Sequence, residues 1–255
     1  MKVGAIQLTS VLDYKENLKK IRVFLQQAKA QNVTTVFLPE VFYSLTNCKT
    51  VTPYLINKNN EHYEHIRALA VDFGVNLIGG SATTENSAGG KPLNRAYNFS
   101  AKGEDLGFYD KIHLFSCDIN QNGEVRKTDE GDTFSAGKDL KVVEVDNIKI
   151  GLSICFDMRF PEMYQALLKQ EAKIMTIASA FTKPTGRAHW HTLVRARAIE
   201  CQCFVVACAQ WGEHNEVVAT YGHSLIVDPW GEVLADAGEG EKLIVADLNF
   251  DRIEE

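Results

Sequence analysis

Lys149-Ile-Gly-Leu-Ser-Ile-Cys155-Phe-Asp-Met-Arg-Phe-Pro161-Glu162 decides how the chain is read. Its first half is an apolar run of strand length, and Pro161 suits the first turn of a helix, where a missing N–H costs nothing. Cys155 therefore stands between a strand end and a helix start. There the positive pole of a helix would favour a thiolate and make the thiol nucleophilic. A buried core cysteine is the competing reading, since free cysteines pack well in apolar interiors.

Outward from this stretch the pattern is strand and helix in alternation. On the N-terminal side, Lys2 to Leu8 reads as a strand, Tyr14 to Ala30 as an amphipathic helix, and Val33 to Leu38 as a buried strand. Glu61 to Phe73 is helical and closed by Gly74, Val75 to Ser81 returns to strand, and short strands follow near Asn98 and from Asp105 to Tyr109. Ile112 to Lys138 is polar with weak periodicity and reads as a long loop. After it come strands at 140–145 and 149–154, a helix from Pro161 to about Lys169, a strand at 174–178 and a helix from Ala188 to about Glu200. Strands at 204–209, 224–228, 233–235 and 243–247 complete the chain. About a dozen strands against four helices is too sheet-rich for a single doubly wound sheet; two sheets face to face with helices outside satisfy every apolar face. The fold class expected is α/β, and the absence of any linker makes residues 1–255 one domain.

Composition excludes several function classes. With 45% apolar and 24% charged residues the 255-residue chain is globular rather than disordered. Its net charge of −6 and lack of a basic run argue against nucleic acid or an anionic membrane surface as partner. No apolar stretch reaches the length of a membrane span, and Met1 leads straight into a strand, so a cytoplasmic location is expected. The six cysteines include no CxxC pair and are expected to be reduced thiols.

Two further residues share the setting of Cys155. Glu40 ends Val33-Thr-Thr-Val-Phe-Leu-Pro-Glu40, and an acid just beyond a buried strand is either a cap or a general base, because open α/β sites gather at the carboxyl ends of strands. Lys111 lies in Phe108-Tyr-Asp-Lys111-Ile-His-Leu-Phe115, where burial would require a carboxylate or oxyanion partner; a snorkelling surface lysine is the alternative. Nucleophile, proton carrier and positive charge for an oxyanion form a coherent set.

Phe37-Leu-Pro-Glu40, Lys111-Ile-His-Leu-Phe115 and Cys155-Phe-Asp-Met-Arg-Phe-Pro-Glu162 together resemble the nitrilase superfamily of carbon-nitrogen hydrolases, in the same order and over nearly the whole chain. The resemblance implies a four-layer αββα sandwich, assembly as a homodimer and no metal or organic cofactor. It implies that Cys155 attacks the acyl carbon and that Glu40 carries the proton. Lys111 would stabilise the tetrahedral intermediate, helped by the amide nitrogen of Phe156. A second glutamate of the family falls on Glu130 in Glu130-Gly-Asp-Thr-Phe-Ser-Ala-Gly137, with Glu124 as rival.

The run from His189 to Gln210, with Tyr221-Gly-His-Ser and Val227-Asp-Pro-Trp-Gly231, is most similar to the branch that comprises deaminated glutathione amidases, with the omega-amidases as the runner-up. The substrate implied is a small α-keto acid amide bearing carboxylates. Arg159 is the expected carboxylate fork, because a planar guanidinium pairs with a carboxylate through two hydrogen bonds. Phe181 and Thr182, with Ser179, follow the strand at 174–178 and are expected to line the pocket. His189 and His191 with Cys201 and Cys203 look superficially like metal ligands, but residues two apart on a helix point about 200° apart, so no metal site is expected.

Overall fold

The computed structural model describes residues 1–47, 49–121 and 124–254, and the side chains of all of these except 118–128. One sheet is built around β1 (Lys2–Gln7), β2 (Thr35–Phe37) and β3 (Asn76–Ile78), which run parallel. β4 (Ser81–Thr84), β5 (Leu93–Phe99) and β6 (Asp105–Asp110) extend one edge as antiparallel strands. The helices α1 (Tyr14–Ala30) and α2 (Glu61–Phe73) lie in the connections. Each starts on a side-chain cap: Asp13 accepts from Lys15 N and Asn60 from Tyr63 N, satisfying amide groups that a helix start leaves orphaned. Gly74 closes α2 in the left-handed conformation that glycine adopts without strain.

Alternation along the strands sends successive side chains to opposite faces. Ile6, Val36, Leu38 and Leu77 pack on α1 and α2 with Ile21, Leu25, Ile66 and Leu69. Val3, Ala5, Phe37 and Ile78 point the other way, into a core shared with a second sheet. That sheet holds β9 (Val142–Val145), β10 (Ile148–Gly151), β11 (Ile174–Ser179) and β12 (Phe204–Ala209), then β15 (Leu225–Val227) and β16 (Val233–Asp236). Its outer face is covered by α3 (Pro161–Leu168) and α4 (Lys183–Cys201), whose Tyr164, Leu167, Trp190 and Val194 join the same core. Helix, sheet, sheet, helix is the four-layer αββα sandwich. β17 (Lys242–Asp247) crosses back to pair antiparallel with β1 along the edge of the first sheet.

Three elements depart from the sequence reading. The stretch 112–138 is not one loop: β7 (Ser116–Gln121) and β8 (Glu124–Asp129) pair as a hairpin, and a short 3-10 turn spans Glu130–Asp132. α4 starts at Lys183 rather than Ala188, because Thr182 and Pro184 open it and Gly186 continues it. Gly186 is required there, since a Cβ would come within 2.3 Å of the Tyr221 side chain. β13 (Trp211–Glu213) and β14 (Ala219–Tyr221) form a small added ribbon. Five cysteines are free thiols, and Cys48 lies outside the described residues. Among the described residues no helix is long and apolar enough to cross a membrane.

Candidate active site

Glu40 sits three residues past β2, 3% exposed, at the carboxyl end of the parallel strands. Its carboxylate is held from three sides. Oε1 accepts from Lys111 Nζ at 2.8 Å and from Asn94 Nδ2 at 2.9 Å, and Oε2 accepts from the backbone N–H of Ala180 at 2.8 Å. Gln210 Nε2 donates to its backbone carbonyl at 2.9 Å. The acid is therefore anchored by β5 and by the residues just past the carboxyl ends of β11 and β12.

Lys111 follows β6 and is 1% exposed. Besides Glu40, its ammonium reaches Glu130, with Nζ 2.7 Å from Oε2 and 3.0 Å from Oε1. Burial alone would lower the pKa of the ammonium, but the charges of Glu130 and Glu40 outweigh it and hold the pKa well above the usual lysine range. The backbone around Lys111 is fixed as well. Lys111 N donates to Asn94 O at 3.0 Å, and Gly137 N donates to Lys111 O at 2.8 Å. A side chain at Gly137 would place its Cβ 2.1 Å from Asp110 O, so only glycine lets the 130–137 segment close over Lys111.

Glu130 opens the 3-10 turn and also accepts from Phe115 N at 2.8 Å. Burial and the Glu40 charge raise its pKa against the pull of Lys111. Of the two candidate second glutamates, Glu130 is the one on Lys111; Glu124 begins β8, and its side chain lies outside the described residues.

Cys155 is buried, with φ +48°, in the left-handed region that a non-glycine residue occupies only when its surroundings enforce it. It begins a five-residue 3-10 turn, Cys155–Arg159, and α3 starts only at Pro161. The sequence reading favours a thiolate here, whereas burial favours the protonated thiol. Burial, reinforced by the negative charge of Glu40, drives the thiol pKa far up, and the opposing pull of Lys111 is smaller. A short 3-10 turn carries little of the aligned dipole that a long helix would supply. The buried Ser179 hydroxyl lies beside this thiol and has no close hydrogen-bond partner among the described residues.

The turn is held by Asp157, fully buried and not singled out by the sequence reading. Its Oδ2 accepts from Tyr109 Oη at 2.7 Å and from Ile154 N at 2.8 Å, and its Oδ1 accepts from His113 N at 3.0 Å. Asn94 was missed too: nothing in its local pattern signals a contact with Glu40, which lies 54 positions away in sequence. Asp157 stood inside the quoted Cys155 motif, where an acid two residues past a strand-end cysteine was a visible clue.

Among the remaining predicted residues, Arg159, Phe156 and Phe181 lie together. Arg159 lies over the rings of Phe156 and Phe181, 5.7 and 5.4 Å from their centroids. Its Nη2 is 3.1 Å from His189 Nδ1, and its buried Nε has no hydrogen-bond partner among the described residues. Thr182 caps α4, and its hydroxyl is 2.7 Å from Thr185 Oγ1, so it is engaged with its own helix.

The sequence matches the carbon-nitrogen hydrolase family over residues 2–255. The chain belongs to the carbon-nitrogen hydrolases of the nitrilase superfamily. Among its relatives, deaminated glutathione amidase of Synechocystis is 36% identical over 255 residues, covering 99% of this chain and 93% of that protein. The human protein of the same name is 38% identical over 256 residues, covering 97% of this chain and 77% of the relative. Nit3 of Saccharomyces cerevisiae, a solved member of branch 10 of the superfamily, is 31% identical with a TM-score of 0.87 over 100% of this chain and 92% of that one. An amidase from Nesterenkonia, 23% identical with a TM-score of 0.83 over 100% of this chain and 92% of that one, shares the fold. A carbon-nitrogen hydrolase thus has an acid, an ammonium and a thiol buried together in the place where its two sheets meet.

Proposed function

We propose that this carbon-nitrogen hydrolase is a cysteine amidase that cleaves the amide of deaminated glutathione through a thioester. The observation that carries the reading is the buried Lys111 ammonium, bonded to Glu40 and Glu130 and close enough to Cys155 for each to feel the other's charge. Such a cluster is costly to bury without a charge-developing reaction to serve.

In the proposed sequence, the Glu40 carboxylate takes the Cys155 proton as sulfur bonds to the amide carbon, because the resting thiol is neutral. The carbonyl oxygen becomes an oxyanion facing Lys111 Nζ and the N–H of Phe156. Glu40 then gives its proton to the departing amine, the C–N bond breaks, and 2-oxoglutaryl remains on sulfur. Water, deprotonated by Glu40, attacks the thioester carbon; sulfur leaves and regains the proton. The products are 2-oxoglutarate and cysteinylglycine. Glu130 neutralises and orients Lys111, a positioning role.

Arg159 with Phe156 and Phe181 supports a substrate that ends in a carboxylate, because an arginine with no carboxylate partner among the described residues is available for one. The names of the relatives at 36% and 38% identity point to deaminated glutathione in particular. Thr182 would contribute its backbone and methyl group rather than a free hydroxyl. Kinetics with deaminated glutathione, 2-oxoglutaramate and an N-carbamoyl amino acid, side by side, test the choice. The highest kcat/KM is expected for the first; a higher value for 2-oxoglutaramate would make the protein an omega-amidase.

A further inference from the structure

On the middle of α4, three side chains from separate segments converge. His191 stands on α4, His223 in the bend between β14 and β15, and Asp236 at the end of β16. His191 Nε2 is 3.1 Å from Asp236 Oδ2, and His223 Nδ1 is 3.0 and 3.1 Å from the two carboxylate oxygens. One ligand atom from each residue lies within 4.8 Å of the others. His189 and His191, two apart on the helix, diverge as expected: His189 Nδ1 lies 3.1 Å from Arg159 Nη2.

We propose that His191 Nε2, His223 Nδ1 and the Asp236 carboxylate bind a divalent transition-metal ion of the zinc class. Metal–ligand bonds of 2.0 to 2.2 Å in tetrahedral array set neighbouring ligand atoms about 3.3 to 3.6 Å apart, so the two separations to Asp236 need to open by a few tenths of an ångström and the two imidazole nitrogens, within 4.8 Å of each other, need to draw together by about 1.5 Å at most. Two imidazoles and one carboxylate suit zinc, cobalt or nickel, whereas magnesium and calcium prefer oxygen throughout.

The ligands are also braced from behind, as metal ligands need to be. Gly238 N donates to Asp236 Oδ1 at 2.7 Å, and the His223 ring stacks on Tyr221 with centroids 4.6 Å apart. The His223 backbone is clamped by Trp190 Nε1, which donates to its carbonyl at 2.6 Å, and it donates its own N–H to Gly238 O at 3.1 Å. The side chains are 38%, 23% and 33% exposed, so solvent completes the coordination. The ion would pin α4 to β16 and to the β14–β15 bend. It is a structural brace for the helix that begins beside Ser179 and Phe181, with no part in amide cleavage.

The test is metal binding by the full-length, chelator-stripped protein, compared with His191→Asn and Asp236→Asn. Zinc stoichiometry is measured by titration calorimetry, and the cobalt complex by visible absorption. The expected result is one zinc per chain that is weakened by about a hundredfold or more in each variant, a cobalt d–d band without thiolate charge transfer, and a zinc-dependent rise in Tm confined to the parent protein. Folding of the variants is checked by their unchanged Tm in chelator. No saturable zinc binding by the parent, equal binding in both variants, or a thiolate band in the cobalt spectrum would overturn the proposal.

Discussion

Tyr109 donates its hydroxyl to Asp157 Oδ2 at 2.7 Å, and this one bond ties the strand end that carries Lys111 to the turn that carries Cys155. His113 N and Ile154 N converge on the same carboxylate, so the two halves of the site share a single buried anchor. Asp157→Asn puts an amide donor among N–H and O–H donors. It is expected to lower stability by about 3 kcal/mol in urea denaturation, the usual cost of breaking a buried charged network. Tyr109→Phe removes the bond to Asp157 and the one the hydroxyl accepts from Ile112 N at 3.2 Å, and should cost about 2 kcal/mol.

Lys111→Met keeps the length of the side chain and removes its charge. Loss of an oxyanion donor should lower kcat by about 10² to 10³. Stability should fall by about 3 kcal/mol, because Glu40 and Glu130 are left facing each other without a cation. Adding Glu130→Gln should restore part of that stability and none of the rate. The comparison of kcat with denaturation midpoint separates the chemical role of the lysine from its structural one.

The neutral resting thiol has a signature in pH. Folded Cys155 keeps its proton above the ordinary thiol value of 9.0, where the unfolded chain releases it. The folded state then binds more protons than the unfolded state, so stability falls as pH rises. Above pH 9.0 the parent should lose about 1.4 kcal/mol per pH unit more than Cys155→Ala. Urea titrations of both proteins under reducing conditions at a series of alkaline pH values measure the difference. Parallel curves would mean that the thiol is already ionised in the folded chain.

Arg159→Lys should act on binding. A lysine gives up the forked hydrogen bonds and the stacking on Phe156 and Phe181, so KM for carboxylate-bearing amides should rise about tenfold or more with kcat little changed. A neutral amide should show no such change in KM. Steady-state kinetics on the two substrate types provide the check.

Much of this was legible in the sequence for physical reasons. α1 and α2 have the bounds their periodicity implies, because each pairs an apolar stripe with a capping residue and a defined end. The strand-end placement of Glu40 and Cys155 follows from apolar runs stopping at a polar residue. The β7–β8 hairpin escaped because Ser116 to Gln121 and Glu124 to Asp129 are mostly polar residues, which gives period counting too few apolar positions to work with. Asn122-Gly123 between them was the available signal, since that dipeptide favours tight hairpin turns. The early start of α4 was hidden by Pro184 and Gly186, which read as loop residues until Tyr221 is seen packed on Gly186.

Of the site, residue types were readable but partners were not. Lys111 in an apolar stretch, if buried, called for a carboxylate or an oxyanion, yet that it has two carboxylates, and that one comes from position 130, depends on the fold of the 112–138 segment. Asn94, Asp157 and Ala180 N act across strands far apart in sequence, and no local pattern encodes such contacts. The His191, His223 and Asp236 group was missed for the same reason.

Acyl transfer to Cys155 sulfur is the claim on which the mechanism rests. Rapid acid quench of the protein turning over deaminated glutathione, followed by intact-mass and peptide spectrometry, tests it directly. The account predicts a 2-oxoglutaryl adduct on the peptide that contains Cys155, sensitive to hydroxylamine and absent from a folded Cys155→Ala protein that has no turnover. Undiminished turnover by Cys155→Ala, or an acyl adduct on any other residue, would contradict it.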